Sequence, residues 1–320
     1  MQNRLSNLVS RFSIDTLISL LLFGGALYGY TITLAPTVLE GDVALFQYTS
    51  LVLGITYPTG FPLYVLLGKL WLTLFPIGET AWRMNFLSAF CSALALPLIY
   101  NAIWRLFSPK SSEVLKSSEL FQKYITCRLA ALVTVLSFAT LPVFWRWSTV
   151  AKTYSLNILL LSLILYLLGK LLYPQPPLNP PQRGANFATP QSPLRIIYAI
   201  ALLLGLSVSV HNTMLLLLPG VLLFVWIHAR PISLKTILIG TGLFILPNLL
   251  YFYIPLRAEW LIAEHGRFDA LGAGLVADFY QSGWAGWLNY FSAADFTRGV
   301  ATDWGLVPGR FSPVYVDNLL

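Results

Sequence analysis

This chain is short of charge. Asp, Glu, Lys and Arg make up 10% of its 320 residues, where a soluble domain of that length carries about 25%. The shortage excludes a soluble globular enzyme. The 57% hydrophobic content and mean hydropathy of +0.70 exclude disordered and collagen-like chains as well. Cysteine is nearly absent. Cys91 lies inside an apolar run and Cys127 beside basic residues, which gives neither a zinc or redox spacing nor a disulfide pair. Acidic residues number 13 against 20 Lys and Arg, a net charge of +7. In a membrane protein that excess reflects topology, so no nucleic-acid partner is expected. Nucleotide signatures are missing too: Gly68-Lys69 is followed by Leu70 and not by Ser or Thr, and neither Gly-x-Gly-x-x-Gly nor His-Glu-x-x-His occurs. Glu264, His265 and Asp269 are close in sequence but have no metal-ligand spacing. Neither a metal nor a cofactor is expected.

What the chain has is long apolar runs. A hydrocarbon core of about 30 Å needs roughly 20 residues of helix, and seven segments approach that length: 14–35, 84–107, 129–145, 153–173, 195–210, 213–229 and 235–256. The first follows Arg4 and Arg11 without a cleavage pattern after it, and reads as a retained anchor. The fifth and sixth are separated only by His211 and Asn212, so one long tilted span containing Pro219 is the alternative. Phe61 to Pro76 is apolar but short, carries Lys69 in mid-run and is bounded by proline; it reads as a re-entrant or interfacial helix. The expected fold is an all-α polytopic membrane protein with about seven transmembrane helices plus outer interfacial helices.

Orientation follows from Lys and Arg, which cytoplasmic loops retain. With the N-terminus inside, the inner segments hold 12 basic and 3 acidic residues, and the outer segments 8 basic and 10 acidic. Residues 1–256 are then the transmembrane domain, with an outer loop over 36–82 that is the expected catalytic loop. The stretch 174–193 is a proline-rich inner linker. Residues 257–320, rich in Trp and Gly, form an outer C-terminal region that ends without a recognisable stop, as in a truncated chain.

The outer loop places Glu40 and Asp42 within a few residues of the membrane surface. An acidic residue there most often serves as a helix N-cap or a solvated charge, and Asp42 after Gly41 suits a cap. The functional alternative is a carboxylate general base at a membrane-facing cleft.

Ala35-Pro36-Thr37, Gly41-Asp42, the run Tyr57-Pro58-Thr59-Gly60-Phe61-Pro62-Leu63-Tyr64, Leu74-Phe75-Pro76 and Trp82-Arg83-Met84-Asn85 follow one another in order. So do Ala151-Lys152-Thr153-Tyr154-Ser155-Leu156-Asn157, His211-Asn212-Thr213-Met214 and the run from Tyr251 to Arg257. This series resembles the transmembrane protein 260-like family, also catalogued as a domain of unknown function, over roughly residues 28 to 257. That family looks like protein O-mannosyltransferases of the GT-C superfamily, polytopic enzymes that take a sugar from a polyprenyl-phosphate carrier on the outer or lumenal face. The resemblance implies a GT-C-like fold, a polyprenyl-phosphate sugar as donor and a protein or glycan hydroxyl as acceptor. It matches Asp42 to the carboxylate of the first outer loop. Two positions depart from the family pattern: its second loop acid falls on Leu45, and the acid before Tyr-Thr/Ser-Leu-Asn falls on Lys152.

Transfer from a lipid phosphate to a hydroxyl needs a base for the acceptor proton and cations for the departing phosphate. Asp42 is the expected base. Lys69, Arg83, Arg146, Lys152 and Arg257 are the candidate phosphate partners, with Arg83 and Arg146 first because both sit at outer span ends beside aromatic residues. Glu40, His211 and Tyr57 are candidate lining residues. Rival readings are a transporter or lipid flippase, with Asp15, Lys69, His211 and Asn248 along a pathway, and an inactive relative serving as an assembly subunit. The expected location is the plasma membrane of a bacterium or the endoplasmic reticulum of a eukaryote.

Overall fold

In the computed structural model the described residues are 14–107, 118–172, 193–229, 232–276 and 280–292. The proline-rich linker as far as residue 192, the whole Lys110 to Lys116 stretch and the end of the tail lie outside them. The described backbone forms thirteen α-helices and no β-strand. They are α1 Ile14–Ile32, α2 Asp42–Val52, α3 Pro62–Leu74, α4 Thr80–Phe107, α5 Ser118–Ala139, α6 Pro142–Ser148, α7 Thr153–Leu172, α8 Pro193–Val210, α9 Leu218–His228, α10 Leu234–Asn248, α11 Tyr253–His265, α12 Arg267–Gly272 and α13 Trp284–Ser292. A 3-10 helix, Asn212–Leu217, precedes α9, and another, Leu249–Phe252, precedes α11.

The chain divides into two compact units, Met1–Leu53 with Phe61–Leu250, and Gly54–Gly60 with Tyr251–Leu320. The boundary drawn at Leu256 from composition falls inside α11.

Among the described residues, five helical stretches, Ile14–Ile32, Thr80–Phe107, Thr153–Leu172, Pro193–Val210 and Leu234–His265, are long and apolar enough to cross a membrane, or six if the bent pair α5 and α6 counts as one span. This is an all-α polytopic membrane protein, but two of the seven expected spans differ from expectation. Residues 129–145 are not one straight helix: the chain breaks at Thr140 and Leu141, and Pro142, which has no N–H to continue the ladder, begins a helix bent by 65° from α5. Residues 213–229 begin as a 3-10 turn and reach only the length of a short apolar helix, Asn212–His228. The 13-residue α3 would rise about 20 Å, too little to span.

In the first unit, the order of contacts fixes the direction of each leg. Asp15 meets Arg128 and Tyr100 at one end of α1, while Tyr30 near the other end donates to the Ala139 carbonyl at 2.9 Å. So α1 and α5 run parallel and α4 runs against them. Ala89, Ala93, Leu96 and Tyr100 form a single face of α4 buried against Leu22, Tyr30, Ala131 and Val135, and the small residues let the helices approach closely. Gly169 of α7 lies beside Ala102 and Arg105 of α4, and Lys152, just before α7, lies beside Ser88. Hence α7 runs parallel to α4. Ile200 and Leu204 share one core with Val221 and Val225. A straight helix would hold Leu204 and Val221 about 26 Å apart, so α8 and α9 are a hairpin and the single tilted span is excluded. Gly240 beside Ala201, Phe244 beside Gly205 and Pro247 beside Ser209 show α10 running parallel to α8.

The second unit is built around Ile55, Tyr251, Ile254, Leu261, Val276, Tyr280, Trp287 and Tyr290. Ile55 donates its N–H to the Leu275 carbonyl at 2.8 Å, and the Tyr290 hydroxyl donates to the Thr56 carbonyl. Gly60 has a φ of +87°, and a Cβ there would collide with Ile254 and Tyr290.

Candidate active site

The alternation of helix direction brings the α1–α2 loop, the turn before α7 and the α8–α9 turn to one end of the first unit. Asn85, fully buried near the start of α4, ties these pieces together. Its Oδ1 accepts from Gln47 Nε2 of α2 at 2.9 Å and from the Ala151 N–H at 2.8 Å, and its Nδ2 donates to the Ala35 carbonyl at 2.8 Å. Ser88, one turn along α4, accepts from the Lys152 N–H at 3.4 Å. A carboxamide suits this junction because it offers both donors and acceptors in one plane. The sequence motif Arg83-Met84-Asn85 contained this residue, yet its role was not foreseen. The available signal was an amide inside an otherwise apolar helix.

Asn85 thereby sets the two chain segments that carry Asp42 and Lys152. Asp42 is the first residue of α2, and Gly41 is the N-cap, with a φ of +66° and no side-chain cap bond. The Asp42 carboxylate instead receives Lys152 Nζ at 2.5 Å. The lysine side chain is 9% exposed and that of Asp42 49%, so the pair has one sheltered and one accessible member. Lys152 Nζ also lies 5.8 Å from the Phe46 ring centroid and 5.7 Å from those of Trp147 and Tyr154. Three ring faces stabilise an ammonium that has left most of its water. Lys152 thus forms an ion pair with Asp42.

His211 sits at the tip of the α8–α9 hairpin and caps the 3-10 turn: its Nδ1 accepts from the Thr213 N–H at 3.4 Å. Its ring lies 5.5 Å from Phe61 and 6.5 Å from Tyr154. Burial, and then the positive charge of Lys152, lower its pKa below the usual imidazole value. The Thr213 hydroxyl lies 2.9 Å from the same Nδ1, and the lowered pKa favours the neutral ring.

The other expected residues divide by local partner. Arg83 closes the C-terminus of α3, donating from Nη1 to the Leu72 and Phe75 carbonyls at 2.9 and 3.0 Å and from Nη2 to Thr80 at 3.2 Å. Lys69 does the same for α2, donating to the Leu51 carbonyl at 2.7 Å. Arg146 is exposed, and its guanidinium lies 5.2 Å from the Trp147 ring, the same ring that Lys152 faces. Glu40 is exposed. Tyr57 and Arg257 belong to the second unit, where Arg257 stacks on Trp260 at 4.1 Å. Leu45 lies in the first turn of α2. Of the residues a transport pathway would need, Asp15 pairs with Arg128 at 2.8 Å, Asn248 donates to the Phe244 carbonyl, and Lys69 and His211 are engaged as above. Among the described residues no three His, Cys, Asp or Glu side chains gather as a metal site would require.

Comparison with known proteins puts these residues in context. A family model described as the protein O-mannosyl-transferase TMEM260 N-terminal domain matches residues 42–233, starting at Asp42 itself. A Mus musculus protein named protein O-mannosyl-transferase TMEM260 is 28% identical over 251 residues, which is 76% of this chain and 31% of the mouse protein. A Dictyostelium discoideum protein of the same name is 21% identical over 149 residues, 46% of this chain and 16% of that protein. The chain thus spans less than a third of the length of these curated relatives. No solved structure matches it. With the family match covering Asp42, Asn85, Arg146, Lys152 and His211 in one continuous segment, this chain belongs to the TMEM260 N-terminal domain family.

Proposed function

We propose that the chain is the membrane-embedded part of a glycosyltransferase. It moves a mannose-like sugar from a polyprenyl-phosphate carrier to a protein or glycan hydroxyl on the outer or lumenal face, on a GT-C-like scaffold. The observation that carries this reading is the Asp42–Lys152 pair, held by the Asn85 junction at one end of the helix bundle and inside the segment matched to a family named for O-mannosyl transfer.

In this reading Asp42 takes the proton of the acceptor hydroxyl as that oxygen attacks the anomeric carbon. The bond from that carbon to the phosphate oxygen breaks. The polyprenyl phosphate leaves with the bonding electrons and one additional negative charge. Arg146 is the preferred phosphate partner, because its exposed guanidinium keeps its forked donors for an anion, whereas Arg83 and Lys69 spend theirs on helix carbonyls. Lys152 holds the carboxylate in place and adds positive charge beside the developing phosphate charge.

The test is the initial rate of sugar transfer from a polyprenyl-phosphate mannose, normalised to folded protein. Asp42→Asn should lose about 10²- to 10⁴-fold in turnover per folded molecule, with some loss of melting temperature because the amide oxygen accepts from Lys152 but no longer balances its charge. Glu40→Gln should stay near wild type, and Arg146→Ala should raise the donor KM. Full activity in Asp42→Asn overturns the assignment of the base.

A further inference from the structure

The second unit contains a pocket of about 440 Å³ that the transfer reading does not use. It is lined by Pro255 and Glu259 of α11, by Tyr280 and Ser282, and by Trp284 and Trp287 of α13. The volume falls in the range of about 300 to 1,000 Å³ typical of small-molecule sites.

Its walls are of two kinds. Trp287 is 8% exposed and fixed: its indole N–H donates to the Tyr251 carbonyl at 3.3 Å, and Phe252 stacks on it at 5.3 Å with 15° between planes. Trp284, one turn away, is 65% exposed, and its ring lies 4.6 Å from that of Trp287 with 35° between planes. Together they make a large, stiff apolar surface with an open face. Opposite in character is Glu259. Its Oε1 accepts the Tyr280 hydroxyl at 3.0 Å, and among the described residues its second oxygen has no partner. Tyr280 is itself held, since Arg267 donates to its carbonyl at 3.2 Å. Burial and the neighbouring carboxylate raise the Tyr280 pKa, so its hydroxyl remains a donor and keeps Glu259 oriented.

We propose that this pocket binds a pyranose ring. A pyranose has an apolar face of C–H bonds that covers an indole and a rim of hydroxyls that donate to a carboxylate, and the pocket offers both surfaces side by side. Hydrocarbon would use the tryptophans but leave the Glu259 carboxylate desolvated, which costs far more than it gains. A cation would use Glu259, but nothing else in the pocket is a charged oxygen ligand. The inference stands apart from sugar transfer, because binding of a free glycoside is measured without donor or acceptor.

The experiment is saturation-transfer NMR on the full chain in nanodiscs, with methyl α-mannopyranoside, methyl α-galactopyranoside and methyl β-glucopyranoside as probes. Saturation of ring C–H protons is expected for at least one glycoside, with affinity at least about tenfold weaker in both Trp284→Ala and Glu259→Gln. Trp260→Ala is the control, an exposed tryptophan on the same unit but outside the pocket. Trp284 and Glu259 are both exposed, so either variant reports binding if the other misfolds. The proposal is overturned if none of the three glycosides is saturated by the wild-type chain, if both variants bind as tightly as wild type, or if Trp260→Ala loses binding equally.

Discussion

At the scale of single residues, the junction at this end of the first unit depends on one buried amide side chain. Asn85 satisfies three groups on three segments. Asn85→Ala strands the Ala151 N–H, the Ala35 carbonyl and the Gln47 amide in a buried setting, at a cost of about 2 to 4 kcal/mol. A lower melting temperature, together with loss of transfer at temperatures where wild type is active, is the expected result. His211 makes a separate prediction. Its pKa is lowered in the folded chain, so the folded state prefers the neutral ring. The stability this supplies is complete above the unfolded value of about 6.5 and is lost as pH falls from there through the folded pKa. The melting temperature of wild type relative to His211→Gln should therefore drop between pH 7.5 and pH 5.5. A flat difference would mean that the imidazole is not held neutral.

At the scale of elements, close helix contacts depend on glycine in some places and not in others. Gly205 of α8 faces the backbone of α10 at Phe244, where an added Cβ would strike the carbonyl oxygen and could not be relieved by a side-chain rotation. Gly242 of α10 has open space at the same position of its own residue. Gly205→Ala should destabilise by about 1 to 3 kcal/mol through overpacking, whereas Gly242→Ala should be neutral or stabilising by up to about 1 kcal/mol on helix propensity. Thermal melting in one detergent compares them directly. Helix ends follow the same logic with cations: Lys69 and Arg83 complete the C-termini of α2 and α3. Two short helices that are polar at their ends can then sit beside an apolar bundle without orphaned carbonyls.

For the whole molecule, the testable property is topology. Asp15, Tyr100 and Arg128 meet at one end of the first unit, and Asp42, Lys152 and His211 at the other. On the orientation expected from the excess of Lys and Arg in the inner segments, the first end faces the cytoplasm. A membrane-impermeant thiol reagent on sealed vesicles with the outer face exposed should therefore miss Cys127 and label a cysteine introduced by Ser282→Cys, while buried Cys91 stays unreactive. Labelling of Cys127 before lysis would invert the orientation.

The sequence by itself determined the class of molecule, because hydrophobicity and charge are sums and runs: a helix must be about 20 apolar residues long to cross hydrocarbon, and no partner is needed to count them. It also picked out the loop of Asp42 and the short, non-spanning α3. It did not reveal the bend at Pro142, since hydropathy is blind to a break that preserves composition. It ranked Arg83 and Arg146 first by position alone and could not tell the cations apart by their partners. Lys69, Arg83, Arg146 and Lys152 look alike as letters, and only tertiary structure decided that two close helix ends, one pairs with Asp42 and one lies exposed on Trp147. The reason is physical: an ionic group takes its role from the neighbours within a few ångströms, which the fold chooses, and for Lys152 that neighbour is Asp42, 110 residues away in the chain.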